Sequence, residues 1–206
     1  GQLIKENPEF EMEKRLLLDK INIEKGTVCV EETEYPLKDV SFPTIDWEDP
    51  YRLSEDEADV MERLVTAFVN CEKLQRHVRL YKVYNGNLLY HGCVPLNEDG
   101  TFTRVNVFGK EYAGKELYDV LEGYARKGYY AIDPKEKKKG QDILWFIWEN
   151  QNSPVFGKAK MTTFERYFIA DKKTHQEPKN PYYRLLEKEE VVNRILEEFG
   201  LEGAHH

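Results

Sequence analysis

The stretch YKVYNGNLLYHGCVPLNEDG, from Tyr81 to Gly100, predicts a buried strand that ends at a histidine. An apolar run from Leu88 to Tyr90 stops at His91, and Gly92 follows directly. A strand end suits a metal ligand or a catalytic base, because packing fixes the strand while the following loop stays open to a substrate. From its position alone, His91 is either such a group or a hydrogen-bonded core histidine.

The size and composition of the chain are those of a folded protein that needs no disulfide. It has 206 residues, of which 40% are hydrophobic and 33% charged, so it can bury a sizeable core. The formal net charge of −8 argues against nucleic acid or an anionic membrane as the main partner, because both favour clustered Lys and Arg. Cys29, Cys71 and Cys93 are widely spaced, which predicts reduced thiols rather than a disulfide framework or a zinc knuckle.

The ends of the chain predict a soluble piece of a longer polypeptide. No stretch is apolar over the length that spans a bilayer, and the opening GQLIKENPEF has no signal-peptide pattern, so we expect a cytoplasmic protein. The chain starts without an initiator Met and ends abruptly at GAHH, where His205 and His206 are either native or the start of a purification tag. We expect a single domain, or a middle fragment with an N-terminal arm over residues 1–50.

Hydrophobic spacing predicts an α+β fold with several amphipathic helices. The helices are expected from Glu11 to Lys20, from a capping box at Ser54 and Glu57 to about His77, from Gly114 to Gly128, at a second capping box of Thr162 and Glu165, and from Glu187 to Phe199. Hairpins are expected from Thr27 to Leu37, with Pro36 on an edge strand, and from Thr103 to Tyr112. The apolar run from Ile143 to Trp148 is expected in the core, and the basic stretch PKEKKKG, Pro134 to Gly140, as a solvated loop.

Residue chemistry alone leaves several alternatives open. The sequence has no Gly-x-Ser-x-Gly elbow, no Walker loop, no dinucleotide-binding glycine motif and no His-Glu-x-x-His helix. Cys93 is either a nucleophile with His91 as its base or, as we favour, a buried structural thiol. Arg166, on an aromatic helix face, is either a bidentate phosphate clamp or an interior arginine paired with a carboxylate.

Several stretches, in the same order over essentially the whole chain, resemble one enzyme family. They are NGNLLYHGCVPLNEDG (Asn85 to Gly100), SPVFGKAKMTTFERYFI (Ser153 to Ile169), KNPYYRLLE (Lys179 to Glu187) and RILEEFGL (Arg194 to Leu201). Together with EMEKRLLLDKI, FPTID and CEKLQRH they resemble the class 3 fructose-1,6-bisphosphatases of Firmicutes, and MTTFERYF is a long and specific match.

This resemblance implies part of a calcineurin-like metallophosphoesterase sandwich, with mixed β-sheets, flanking amphipathic helices and a phosphatase-type core segment over residues 51–206. It implies hydrolysis of fructose 1,6-bisphosphate to fructose 6-phosphate and phosphate in gluconeogenesis, by a water that a dinuclear manganese (Mn²⁺) site activates. His91-Gly92 resembles the His-Gly step of the superfamily, so the resemblance implies that His91 is a metal ligand. The other ligand motifs of the family do not occur in this sequence, so we expect most ligands outside it and no activity from this chain alone.

The remaining assignments follow from charge and position only. Asn87, Lys158 and Arg166 are the candidates for a substrate-binding wall, and no residue is assigned a catalytic role. One alternative is a non-catalytic binding or oligomerisation module, which the 13 Tyr, 10 Phe and 3 Trp could supply with an interface. Another is a metallophosphatase acting on nucleotides or phosphoproteins, because fold does not fix substrate. A homo-oligomer stays open.

Overall fold

A computed structural model describes residues 5–8, 16–70 and 79–202. Its strands are β1 (Ile21–Asn22), β2 (Thr27–Val30), β3 (Thr33–Pro36), β4 (Tyr81–Tyr84), β5 (Asn87–Tyr90), β6 (Val105–Val107) and β7 (Lys110–Tyr112). Its helices are α1 (Glu55–Asn70), α2 (Gly114–Tyr130), α3 (Pro134–Glu149), α4 (Thr163–Phe168), α5 (Tyr182–Leu185) and α6 (Glu189–Glu198), with 3-10 helices at Leu18–Lys20 and Lys172–His175. The α+β class is confirmed, but the sheets of the described residues are small and antiparallel rather than mixed.

The chain forms two compact units. Among the described residues, the larger unit contains 5–8, 79–161 and 177–202, and the smaller unit contains 16–70 and 162–176. Each unit is therefore built from segments that are distant in the sequence.

In the smaller unit, β1, β2 and β3 form an antiparallel sheet with β2 in the centre. β2 and β3 are the predicted hairpin, and its tight turn places Glu31 and Glu32 at positive φ angles of 49° and 65°. Val28 and Val30 point from β2 into a small core that also contains Ile169, the residue after α4. This core joins the N-terminal sheet to a helix more than a hundred residues later.

The first predicted capping box is confirmed at the start of α1. The backbone N–H of Ser54 donates to Glu57 Oε2 at 2.9 Å, and the backbone N–H of Glu57 donates to Ser54 Oγ at 3.3 Å. Residues 71–78 lie outside the described part, so the predicted extension of this helix to His77 lies there too. Residues 11–15 of the helix predicted from Glu11 to Lys20 also lie outside it, and in the described half only Leu18–Lys20 is helical, as a 3-10 helix.

The second predicted capping box precedes a helix, as expected, but its threonine does not cap that helix. Thr162 does precede α4, but its side chain makes no cap bond to the helix. Its hydroxyl instead donates to the His175 carbonyl oxygen at 3.3 Å, and the Glu165 side chain is buried. Helix position followed from the sequence, whereas the capping arrangement did not.

In the larger unit, α2 and α3 form a helical hairpin that packs on the predicted β6–β7 hairpin. The two helices meet at Gly128 and Gly140, where a Cβ on Gly140 would lie 2.0 Å from the Gly128 nitrogen. Their buried side chains form one core with the strand residues: Val105, Val107, Leu117, Leu121, Ile143, Phe146 and Ile147. Only glycine at this crossing lets the helices pack so closely.

The interpretation of Pro134 to Gly140 as a loop is wrong, because this basic stretch is the first half of α3. Asp133 caps the helix by accepting the backbone N–H groups of Lys135 and Glu136 at 2.7 and 3.4 Å, and Pro134 occupies the first turn. Lysine is also a good helix former. The prediction that the following apolar run is core is only partly right, since Trp148 is 70% exposed.

The terminal helix α6 belongs to a second core of the larger unit. It ends before Gly200, whose φ of 75° suits a helix C-terminus, as the sequence predicted. The buried residues of this core are Cys93, Val94, Leu96, Tyr118, Tyr182, Leu185, Val191, Ile195 and Phe199. None of the described helices is long and apolar enough to cross a membrane.

Candidate functional site at His91

His91 follows the hairpin that β4 and β5 form. The strands pair along their full length, and Asn85 and Gly86, with φ angles of 50° and 75°, form the two-residue turn typical of such hairpins. The prediction of a buried strand is wrong, because β5 lies in a two-stranded sheet and Leu89 is 52% exposed. His91 itself is exposed, which excludes the buried core histidine, and it makes no hydrogen bond or ion pair within the described residues.

The buried residues are not those of β5 but those that follow His91, from Cys93 to Leu96. The backbone N–H groups of Gly92 and Cys93 both donate to the Pro154 carbonyl oxygen, at 3.1 and 3.0 Å. A Cβ on Gly92 would lie 2.5 Å from the carbonyl oxygens of both Pro154 and Val155, so only glycine fits. Two hydrogen bonds and a close backbone contact therefore fix the chain directly after the exposed imidazole.

The turn that supplies the Pro154 carbonyl is organised by Ser153, which is fully buried. Its hydroxyl donates to the Ile147 carbonyl oxygen at 2.6 Å. The Ser153 hydroxyl oxygen also accepts the backbone N–H groups of Val155 and Phe156, at 3.1 and 3.2 Å. Ser153 thus ties the turn to the last part of α3.

The buried side chain of Asn180 fixes the backbone a few residues further on, at Leu96. Its side-chain oxygen accepts the backbone N–H groups of Leu96 and Tyr182 at 3.1 and 3.0 Å. Its amide nitrogen donates to the Gln151 carbonyl oxygen at 3.2 Å and to Asn152 Oδ1 at 3.0 Å. One side chain that is only 1% exposed therefore holds three separate segments together.

Cys93 is the buried structural thiol that the sequence favoured. Its sulfur donates to the Ser153 carbonyl oxygen at 3.5 Å, and its own carbonyl oxygen accepts the hydroxyl of Tyr118 at 2.8 Å. Burial raises the pKa of Cys93 to about 12 and raises the pKa of Tyr118 as well. Because the thiolate is the nucleophilic form, Cys93 is unsuited to attack a substrate.

Two of the substrate-binding candidates lie in the larger unit with His91. Asn87 is exposed on β5, and its amide donates to the Asn85 carbonyl oxygen at 2.9 Å, so it supports the hairpin turn. Lys158 forms a partly buried ion pair with Glu177 at 2.9 Å. Both side chains thus make local structural contacts.

Arg166 lies in the smaller unit, on α4. Its Nε donates to Thr162 Oγ1 at 3.0 Å, and its Nη2 donates to the His175 carbonyl oxygen at 3.3 Å. It is exposed rather than interior. The described contacts of Arg166 therefore go to neutral oxygens of its own unit.

Comparison with known proteins identifies the family. The family profile described as Firmicute fructose-1,6-bisphosphatase matches residues 1–206. The chain belongs to this family. It is 51% identical, over 98% of its length, to proteins named fructose-1,6-bisphosphatase class 3 from Clostridium tetani and from Clostridium botulinum (strain Langeland), and equally to one from Clostridium novyi. No solved structure matches the chain.

The matched region is only part of these relatives. In each of the three, the chain spans 32% of the relative's length. The stretches through which the chain resembles the Firmicute fructose-1,6-bisphosphatases supply the scaffold around His91: Gly92 to Leu96 from the first, Ser153 to Phe156 from the second, and Asn180 and Tyr182 from the third.

Membership of this family implies a divalent metal cofactor, for which His91 is the ligand predicted from the sequence. Its imidazole is accessible, and the backbone directly after it is fixed. Among residues 5–8, 16–70 and 79–202, however, no three His, Cys, Asp or Glu side chains are grouped so that they could hold a metal. The described residues thus do not by themselves form a metal site.

Sequence reasoning missed Ser153 and Asn180, the two polar residues that organise the scaffold. A signal was present for each, because Ser153 precedes a proline just after a helix and Asn180 precedes Pro181 between two polar stretches. These patterns predict turns, but they do not reveal that distant segments share the turn's hydrogen bonds.

Proposed function

We propose that the polypeptide carrying this chain is a fructose-1,6-bisphosphatase, which hydrolyses fructose 1,6-bisphosphate to fructose 6-phosphate and phosphate in gluconeogenesis. The observation that carries the proposal is the 51% identity over 98% of the chain to proteins named for that activity. The proposed setting is the cytoplasm, and the proposed fold of the whole is a calcineurin-like sandwich, to which residues 1–206 contribute a middle part. A homo-oligomer is compatible with this assignment.

Within that enzyme, His91 is the proposed metal ligand of this chain, and Mn²⁺ is the proposed metal. A divalent ion supplies Lewis-acid activation of a phosphoryl group when it is bound. The support from the fold is that His91 is exposed, while Gly92 and Cys93 are held by Pro154. The remaining ligands would come from parts of the polypeptide beyond these residues.

Asn87, Lys158 and Arg166 are proposed contacts to the sugar phosphate. Lys158 has the clearest physical case, because a phosphate could share its ammonium group with Glu177, and the charge-assisted bond to phosphate is strong. Asn87 offers a neutral donor on the same hairpin as His91. Arg166 already donates to Thr162 and to the His175 carbonyl oxygen, and a phosphate contact would be added to these bonds or would replace one of them.

The test of the activity is phosphate release by the full-length polypeptide, measured with and without Mn²⁺. The substrates are fructose 1,6-bisphosphate, a nucleoside monophosphate and a phosphoserine peptide. We expect Mn²⁺-dependent release from the sugar bisphosphate and much slower release from the other two. Faster release from the nucleotide or peptide would overturn the substrate assignment. No release by folded, metal-treated protein would leave the binding module as the better account.

The test of His91 compares it with an exposed position on the β4–β5 hairpin that precedes it. His91→Ala is expected to lose metal-dependent turnover and to bind Mn²⁺ more weakly, whereas Lys82→Ala, on β4, is the matched control and keeps both. Circular dichroism of both variants checks that the fold is intact. Retained turnover in His91→Ala would rule out this ligand while leaving the activity itself in place.

A further inference from the structure

We propose that Ser153 is a positioning residue for His91: its hydroxyl holds the turn whose carbonyl oxygen fixes the backbone beside the imidazole. This inference rests on the proposed function, in which His91 is a metal ligand. It assigns a role to a residue that touches neither metal nor substrate.

The hydrogen-bonding capacity of the Ser153 hydroxyl is fully used. A serine hydroxyl has one donor and two acceptor sites. The donor goes to the Ile147 carbonyl oxygen at 2.6 Å, and the acceptors take the N–H groups of Val155 and Phe156 at 3.1 and 3.2 Å. No other side-chain group of this size satisfies all three, so the conformation of the turn depends on this hydroxyl.

The turn is joined to the residues after His91 at three points. The Pro154 carbonyl oxygen accepts the N–H groups of Gly92 and Cys93, and the Ser153 carbonyl oxygen accepts the Cys93 thiol at 3.5 Å. Gly92 has no side chain to hold the backbones apart, and an added Cβ would lie 2.5 Å from the Pro154 oxygen. A displacement of the turn is therefore transmitted to the Cα of His91 within one residue.

The consequence concerns metal affinity more than folding. Metal–ligand distances in a functioning site lie within about 0.2 Å of their preferred values, so a small displacement of His91 weakens its bond to the metal. Loss of a group that hydrogen-bonds a metal ligand directly typically costs about 10–100-fold in metal affinity, and Ser153 acts one step further out, so its loss should cost at most about 10-fold. Ser153 ties His91 to α3 through Ile147, so the helix is the rigid support from which the ligand is placed.

The experiment measures Mn²⁺ affinity of the full-length polypeptide by electron paramagnetic resonance of the free ion, well below the unfolding temperature. Ser153→Ala removes the hydroxyl, and Ser153→Cys keeps a weaker donor and acceptor. Ile143→Val and Ile143→Ala are matched controls, because Ile143 is fully buried on α3 in the helical core and makes none of the hydrogen bonds that hold the turn. These two variants bracket the loss of thermal stability expected from the serine substitutions.

We expect Ser153→Ala to bind Mn²⁺ up to about 10-fold more weakly, Ser153→Cys to be intermediate, and the Ile143 variants to bind as the parent does. If Ser153→Ala fails to fold, the Ser153→Cys variant carries the test. Serine variants that bind Mn²⁺ as well as Ile143 variants of equal stability would overturn the inference alone. An unchanged affinity in His91→Ala would instead overturn the ligand assignment, and the inference with it.

Discussion

Replacing Gly92 with alanine tests the scaffold around His91 most directly. The added Cβ would lie 2.5 Å from the carbonyl oxygens of Pro154 and Val155, whereas ordinary contact begins at 3.4 Å, so backbone must move by about 0.9 Å. That movement stretches the hydrogen bonds of Gly92 and Cys93 to the Pro154 oxygen, now 3.1 and 3.0 Å, beyond useful length.

Two contributions set the expected loss of stability. Overpacking costs about 1–3 kcal/mol, and each lost hydrogen bond costs about 0.5–1.5 kcal/mol, so Gly92→Ala should destabilise the protein by about 2–6 kcal/mol. Thermal unfolding measures the total effect. Hydrogen exchange of the amides from Gly92 to Leu96 shows whether the loss arises locally, as faster exchange in Gly92→Ala.

Gly123→Ala is the matched control for this substitution. Gly123 is an exposed residue inside α2, and an added Cβ would have no atom within 4 Å. Because alanine is the better helix former, this variant should gain about 0.5–1 kcal/mol. The reasoning is refuted if Gly92→Ala unfolds within about 1 kcal/mol of the parent while Gly123→Ala behaves as expected.

Three further predictions concern other parts of the larger unit. Gly140→Ala should unfold the α2–α3 hairpin or lower the melting temperature more than Gly92→Ala does, since its Cβ would meet backbone at 2.0 Å; calorimetry checks this. Hydrogen bonds from Lys127 and then Lys139 lower the pKa of Glu136 from 4.5 to about 2, so its stabilising effect is fully present above pH 4.5 and is lost as the pH falls towards 2. Glu136→Gln should remove that part of the acid dependence, and equal acid-unfolding curves would contradict it. Iodoacetamide should not label Cys93 in the native protein near neutral pH, because burial raises its pKa to about 12, and mass spectrometry against a denatured sample gives the comparison.

Local signals in the sequence predicted the elements that depend on local contacts. The box of Ser54 and Glu57 began α1 as expected, because its two hydrogen bonds lie within one turn. The charge of the Lys-rich stretch after Asp133 favours a solvated loop, but the helix propensity of lysine and the Asp133 cap make it the start of α3. Trp148 was expected in the core because apolar runs usually are, but a helix turns part of any such run outward.

In the candidate site, the sequence predicted where His91 lies but not which partners the charged residues contact. The step from β5 into a loop at His91 followed from an apolar run and a glycine, and the structure places the histidine there. Lys158 and Arg166 were chosen for charge, and charge does not reveal that Glu177 or a carbonyl oxygen lies within reach. The hydroxyl of Ser153 bonds only to residues close in the sequence, and the contact of its turn with Gly92 and Cys93 exists only in the fold, so no sequence signal reveals it.

The stretches with family resemblance are joined in this structure by buried hydrogen bonds as well as by exposed contacts such as the ion pair of Glu98 with Arg184. Ser153 and Asn180 are nearly inaccessible, yet together they fix the backbone from Gly92 to Leu96, and His91 is exposed directly before this segment. A side chain that must bind a metal gains from such an arrangement, because ordering it beforehand reduces the entropy lost on binding. The accessible imidazole beside a fixed backbone makes His91 the first residue to test.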